Sequence, residues 1–178
     1  HTRLAIVDLN GSQQPLNGPN GSVLVVNGEI YNHETLRESH PNYPFKTAGD
    51  SEAILALHAA SSPSSGKPLA SDYAQWLNML DGMYALALWD AKHKQLILAR
   101  DPLGIKPLVR TQIEGDLLFA SEVKAFHADE RYVPQLDELA FAARLVWEYP
   151  LDATTLLKGV HHVRPGTVEV WSTNEHGD

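Results

Sequence analysis

Three polar clusters, each attached to an apolar run, are the residues in this sequence best suited to chemistry. They are Arg3 with Asp8, Asn27-Gly28-Glu29, and Gly49-Asp50. An arginine fork suits a carboxylate and acidic side chains suit an ammonium group, so the clusters together could hold a zwitterion. The Asn27 carboxamide and the Gly28 N–H could also donate two hydrogen bonds to a developing oxyanion.

Each cluster also has a purely structural interpretation as a turn, a helix cap or a surface ion pair. Asn27-Gly28 follows the apolar run Val23 to Val26. This order predicts a tight hairpin turn, because Asn and Gly tolerate the positive φ angles that a type I′ turn needs. From the residues alone, the turn and the site both remain open.

Composition limits the classes of function. The chain has 178 residues, 43% of them apolar, which is enough for one domain with a buried core. Its 14 basic and 22 acidic residues give a net charge of -8, so we expect no nucleic-acid partner. No apolar run approaches the roughly 20 residues that span a bilayer, and we expect a soluble, cytoplasmic protein without a membrane partner. Cysteine is absent, which excludes a thiol nucleophile within these residues.

The first half of the chain predicts strands and helices in alternation. We expect strands at Leu4–Val7 and Val23–Val26, a helix at Glu34–Ser39, a longer helix capped by Asp50-Ser51 that continues to Ala60, and a loop from Ser61 to Ser71.

The second half is richer in strands. Met83 to Trp89 has no polar residue, which is typical of a strand covered on both faces. We expect it to pair with Ile97–Ala99, and we expect a hairpin of Pro107–Gln112 and Leu117–Ala120, a helix at Leu136–Trp147 and a strand at Val168–Trp171.

The sequence offers no support for metal or nucleotide chemistry. It lacks the G-x-x-x-x-G-K-[ST], G-x-G-x-x-G and H-E-x-x-H motifs. His161 and His162 are adjacent, so on a strand they would point to opposite faces. We interpret them as surface or packing residues and predict no metal site.

Seven segments occur in an order that resembles a known family: "HTRLAIVDL", "QQPL", "NGEIYNHETLR", "GDSEAIL", "LDGMYALALWD", "LARDPLGIKPL" and "FASEVKAF". The series closely resembles the glutamine-hydrolysing domain of asparagine synthetases, which are class II glutamine amidotransferases. The resemblance runs from His1 to Phe126, and Thr155 to Trp171 is similar to the family's passage toward its synthetase domain. We therefore expect residues 1–130 to be part of the amidotransferase domain, and 131–178 to complete it and lead toward a synthetase domain.

The resemblance implies an α+β fold of the N-terminal-nucleophile hydrolase type. This fold is a four-layer α/β/β/α sandwich of two stacked antiparallel sheets, and here we expect it to be N-terminally incomplete. In the family an N-terminal cysteine, with its own α-amino group as base, attacks the side-chain amide of glutamine and ammonia is released. The ammonia then serves ATP-dependent amide formation, so ATP and magnesium are expected only in the synthetase domain, and no cofactor in this chain.

The family's site residues match positions of this sequence, and the implied ligand is L-glutamine. Asn27 and Gly28 match the oxyanion hole. The substrate-binding positions are Arg3 for the α-carboxylate, Ile6 and Val7 for backbone contacts, and Glu29 and Asp50 for the ammonium group. On this basis we favour a site at Asn27-Gly28, with the turn as the way in which the site is built.

The sequence departs from the family pattern in three ways. The nucleophilic cysteine is missing, and Thr2 is not a substitute because His1 precedes its amine. The Ser-Gly-Gly-x-Asp-Ser loop for ATP is also missing, so we expect this chain to be inactive by itself and unable to activate aspartate. In "PLVR", Pro107 to Arg110, the family usually has aromatic residues after Pro-Leu, where this sequence has Val109 and Arg110.

Three hypotheses therefore remain open. The chain is the glutaminase part of an asparagine synthetase-type amidotransferase, or a non-catalytic amino-acid-binding or scaffold domain, as in the thiol-less β-lactam synthetases and lasso-peptide cyclases. The third is a partly stable piece of a larger fold, whose exposed sheet edge would favour aggregation or a homodimer.

Overall fold

The computed structural model describes residues 11–61, 66–149 and 152–172. Its strands are β1 Leu16–Asn17, β2 Val23–Ile30, β3 Gly82–Asp90, β4 Gln95–Arg100, β5 Val109–Ile113, β6 Asp116–Ala120, β7 His161–His162 and β8 Val168–Ser172. Its α-helices are α1 His33–Ser39, α2 Glu52–Ser61, α3 Ala70–Leu77 and α4 Glu138–Trp147. Within the described residues the strands form two antiparallel sheets, in the orders β1-β2-β3-β4-β8 and β6-β5-β7.

Strand β3 lies at the centre of the larger sheet and is covered on both faces. Leu86 and Leu88 pack with residues of α1, α2 and α3, whereas Ala85 and Ala87 pack against the smaller sheet. The alternation follows from the period of two along a strand. The predicted strand at Met83–Trp89 and the predicted α+β class with two stacked antiparallel sheets are therefore confirmed.

The outer face of the smaller sheet is covered by a short 3₁₀ segment, Val123–Ala128, whose Phe126 packs with Val109 and Val160. Helix α4 does not contribute, although eight of its ten residues are apolar, and none of its residues is buried. Neither α4 nor any other helix in the described parts of the chain has the length and apolar character of a membrane span.

Most predicted elements are confirmed within a few residues, but the predicted loop from Ser61 to Ser71 is wrong at its end. Helix α3 begins at Ala70 and continues to Leu77, a segment to which we assigned no helix. Tyr73, Trp76 and Leu77 are its buried residues, and their helical spacing was the signal that could have predicted it. The predicted strand at Leu4–Val7 lies outside the described residues.

The predicted turn at Asn27-Gly28 is wrong. Both residues lie inside β2, opposite Ala85 and Tyr84, and neither has a positive φ. Asn and Gly tolerate a left-handed conformation but do not require one. Here β3 offers a pairing partner along the whole of β2, so the apolar run continues as a strand. Any site at these residues is therefore built on a strand and not on a turn.

Candidate functional site

One edge of β2 presents a row of backbone N–H groups that face away from β3. The Tyr31 N–H donates to the Asp81 carbonyl at 2.7 Å, which makes these two residues a hydrogen-bonded pair of the ladder. Because bonded and non-bonded pairs alternate in antiparallel sheets, residues 26, 28 and 30 direct their N–H groups to the other edge.

The two outer groups of this row are bound by side chains. The Val26 N–H donates to Gln14 Oε1 at 2.7 Å, and the Ile30 N–H donates to Asp50 Oδ2 at 2.8 Å. Among the described residues, the Gly28 N–H between them has no acceptor. In the parts of the chain that the structure describes, one backbone donor is thus left without an acceptor between two that are bound.

Gly28 is also required by the contact between β2 and β3. A Cβ atom at this position would lie 2.1 Å from the Met83 carbonyl oxygen and 2.7 Å from the Tyr84 Cα, and backbone atoms cannot easily yield. Val26 and Leu86 form the same type of non-bonded pair and both carry side chains, so the crowding is particular to the backbone at Gly28. Glycine here therefore has a structural reason that does not depend on a ligand.

The Asn27 side chain points to the space between the two sheets. Its Nδ2 donates to Ser121 Oγ, just after β6, at 3.3 Å. Both residues line a cleft of about 150 Å³ whose wall includes Leu108 and Phe119. The Asn27 carboxamide is thus open to this cleft, while the next residue supplies the available N–H.

Asp50 and Glu29 bring two carboxylates to the end of β2. Asp50 is only 5% exposed, and its contact with Ile30 places it one residue beyond Glu29. Of the predicted Asp50-Ser51 cap of α2, the Asp50 carboxylate takes no part, because it accepts from the Ile30 N–H of the strand; the Asp50 carbonyl accepts from the Ala53 N–H. Glu29 is half-buried and has no hydrogen-bond or ion-pair partner among the described residues.

The structure therefore brings four of the predicted site residues to one end of one strand. Asn27, Gly28 and Glu29 are consecutive in β2, and Asp50 reaches them from the loop before α2. The other three, which are Arg3, Ile6 and Val7, lie outside the described residues. Their roles stay predictions.

Sequence reasoning assigned no role to the residues that hold Asp50 in place. Arg37 donates to the carbonyls of Thr47 and Gly49, and the 2% exposed carboxylate of Glu52 accepts from the Thr47 N–H at 2.8 Å. Both residues stand in segments that carry the family resemblance. Bonds from a side chain to a distant loop backbone leave no periodic pattern, so the family resemblance marked the positions of Arg37 and Glu52 but not their function.

The segment "LARDPLGIKPL" forms a turn around a buried carboxylate. Asp101, 1% exposed, accepts from the N–H groups of Leu103, Ile105 and Lys106 at 2.9 to 3.1 Å. Burial alone would raise the pKa of Asp101, but these backbone donors outweigh it and lower the pKa below its ordinary value. Arg100 donates to three carbonyls of the same region. Arg100 and Asp101, which belong to the segment that resembles the family, therefore have a structural role in holding this turn.

A second buried polar cluster surrounds Asp90 at the far end of β3, about 17 Å from Ala85 at 3.4 Å per residue. The Asp90 carboxylate accepts from Tyr73 Oη at 2.9 Å and lies 2.7 Å from His93 Nδ1 and 3.2 Å from His58 Nε2. Burial would raise the pKa of Asp90, but His93, Tyr73 and His58 outweigh it and lower the pKa to about 2. Burial also lowers the pKa of His58. This cluster is remote from Asn27.

Arg110, the departure from the family pattern, joins the two sheets. Its Nε donates to the Glu169 carboxylate of β8, and its guanidinium lies 5.0 Å from the centre of the Trp171 ring. His161 and His162 form β7 opposite Arg110 and Val109. Burial, together with the charge of Arg100, lowers the pKa of His162. At this position of β5, the Arg110 guanidinium thus contacts both the Glu169 carboxylate and the Trp171 ring.

Known proteins are similar in sequence to this chain over 70% to 98% of its length. Asparagine synthetase B [glutamine-hydrolyzing] of Escherichia coli is 44% identical over 128 residues, which is 70% of this chain and 21% of that protein. Asparagine synthetase [glutamine-hydrolyzing] 2 of rice is 42% identical over 137 residues, or 75% of this chain and 21% of that protein. Amidase chyE of Penicillium rubens is 34% identical over 98% of this chain and 24% of its own length. The chain thus spans between a fifth and a quarter of these relatives.

A solved structure supports the fold. The glutamine phosphoribosylpyrophosphate amidotransferase of Bacillus subtilis matches with a TM-score of 0.60 and 24% identity, over 92% of this chain and 30% of that one. The family of glutamine amidotransferase domains matches residues 1–177. With two stacked antiparallel sheets and this match over almost its full length, the chain belongs to the glutamine amidotransferase domain family.

Proposed function

We propose that this domain binds L-glutamine and takes part in its hydrolysis to glutamate and ammonia, as the glutamine-hydrolysing part of a protein of the asparagine synthetase type. The observation that carries the proposal is the available Gly28 N–H beside the Asn27 carboxamide. Two fixed donors next to each other suit the oxyanion that forms when a nucleophile attacks an amide carbonyl.

The proposed ammonium-binding groups are Glu29 and Asp50. An ionised carboxylate can accept about four hydrogen bonds. Asp50 accepts from the Ile30 N–H with one oxygen and from the Ser51 hydroxyl, at 3.5 Å, with the other, while Glu29 has no partner in the described parts of the chain. Both carboxylates therefore retain acceptor capacity for a substrate ammonium. Arg3, with Ile6 and Val7, is proposed to bind the α-carboxylate.

The reaction needs a nucleophile from outside these 178 residues, since they contain no cysteine. We propose an N-terminal cysteine of the same protein for this role. ATP and magnesium are proposed for a separate synthetase domain, which would use the ammonia. The same lack of cysteine favours a second candidate, in which the domain binds an amino acid without hydrolysing it.

The natural protein should first be isolated from its source, and its mass and N-terminal sequence determined. We expect a terminal cysteine upstream of His1 and release of ammonia from L-glutamine. In that protein, Asn27→Ala should lower kcat by about 10²- to 10³-fold with little change in KM, because one oxyanion donor is lost. Asn42→Ala, an exposed asparagine, is the matched control.

The outcomes separate the two candidates. A comparable loss of kcat and of glutamine affinity in Asn27→Ala would contradict the oxyanion role. Calorimetric binding of L-glutamine without ammonia release would support the binding domain instead. A folded protein that gives no heat with millimolar L-glutamine would exclude both.

A further inference from the structure

Among the described residues, Ser121 is the one whose side chain forms a hydrogen bond with the Asn27 carboxamide. It follows β6 directly, in the smaller sheet, and its Oγ accepts from Asn27 Nδ2 of the larger sheet at 3.3 Å. The two residues are 94 positions apart in the chain and meet across the cleft between the sheets. The contact thus depends on the stacking of the two sheets.

A carboxamide needs such a contact if it is to serve as a fixed donor. The terminal torsion of an asparagine side chain has broad minima, so the amide can rotate when nothing holds it. The Asn27 Nδ2 carries two N–H bonds, and one bond to Ser121 leaves the second for a ligand. A donor held in advance stabilises a developing charge better than one that must reorient.

We infer that Ser121 is a positioning residue, which holds the Asn27 carboxamide so that its second N–H is directed to the oxyanion of the substrate. This inference rests on the proposed function of Asn27. Ser121 acts through Asn27, so its removal should cost less than removal of the donor itself. We expect Ser121→Ala to lower kcat about tenfold, below the 10²- to 10³-fold loss of a whole donor, with KM nearly unchanged.

The kinetic test is a double-mutant cycle in the natural protein with L-glutamine as substrate. Ser121→Ala should have no further effect on kcat when Asn27→Ala is already present, because the two residues act as one unit. Ser121→Thr keeps the hydroxyl, and the cleft of about 150 Å³ has room for its methyl group, so this variant should restore kcat. Ser71→Ala, at an exposed serine of α3, should leave kcat unchanged. Equal effects of Ser121→Ala in both backgrounds, or no rescue by threonine, would overturn the inference.

A second measurement keeps the inference testable if the natural protein releases no ammonia, which would refute the proposed function alone. In the ¹⁵N-labelled natural protein, the two Asn27 carboxamide protons should give distinct signals, one of them protected from exchange by the bond to Ser121. Ser121→Ala should remove that protection and Ser121→Thr should restore it. Asn27 signals that are the same in Ser121→Ala as in the unmodified chain would refute the positioning role.

Discussion

Asp90→Asn is expected to destabilise the fold by an amount that depends on pH. The pKa of Asp90 is lowered from 3.8 to about 2 in the folded chain, so folding favours its ionised form. A shift of one pKa unit corresponds to about 1.36 kcal/mol, so the lowered pKa of Asp90 contributes about 2 kcal/mol to the free energy of unfolding above pH 5. Because the folded pKa is the lower one, this stability is lost as the pH falls, and about 1 kcal/mol remains at pH 3.

The measurement is urea unfolding of both chains at pH 7, 5, 4 and 3. The difference in the free energy of unfolding between them should be largest at pH 5 and above and should shrink by about half at pH 3. Asp152→Asn, which removes an exposed ion pair with Arg164, is the control and should change stability by less than about 1 kcal/mol. A difference that stays constant from pH 5 to pH 3 would refute the reasoning, since the charge of Asp90 would then not matter.

Three further perturbations test other parts of the structure. Gly28→Ala should lower the free energy of unfolding, measured by thermal unfolding, by about 3 kcal/mol, because the new Cβ would clash with backbone atoms of β3. Gly18→Ala is the control: its Cβ would lie 3.2 Å from a Leu55 methyl group, and it should lower stability by less than about 1 kcal/mol. Equal losses in the two variants would contradict the strand geometry at Gly28. Arg110→Ala should lower the free energy of unfolding by about 1 kcal/mol, and a double-mutant cycle with Glu169→Gln should show coupling between the two residues. Additive effects of the two substitutions would argue against a bond between Arg110 and Glu169. The exposed apolar residues of α4 should make the isolated 178-residue chain bind a hydrophobic dye and self-associate with concentration, and a strictly monomeric chain without dye binding would contradict this.

Local patterns in the sequence predicted the parts of the fold that depend on local order. The all-apolar run at Met83–Trp89 correctly predicted a strand with two covered faces. The same logic failed at Asn27-Gly28, because the turn preference of two residues was outweighed by pairing along the whole of β2 with a strand more than 50 residues away.

The candidate site was predicted by family resemblance and not by periodicity. Four of its positions meet at one end of β2, but the reason for their arrangement lies in contacts that link distant segments. Gln14 binds the edge of the strand, and Ser121 approaches Asn27 from another sheet. Such contacts depend on tertiary structure, so no window of the sequence contains them.

The side chains that bind the edge of β2 also affect how the molecule behaves toward its own copies. An open strand edge with a row of unpaired N–H groups is a template for a strand of another chain. Gln14 binds both the N–H and the carbonyl of Val26, and Asp50 binds the N–H of Ile30. An incoming strand would have to displace both side chains before it could pair. In the described part of the chain, the edge therefore leaves the Gly28 N–H without an acceptor while it resists the intermolecular pairing that leads to aggregation.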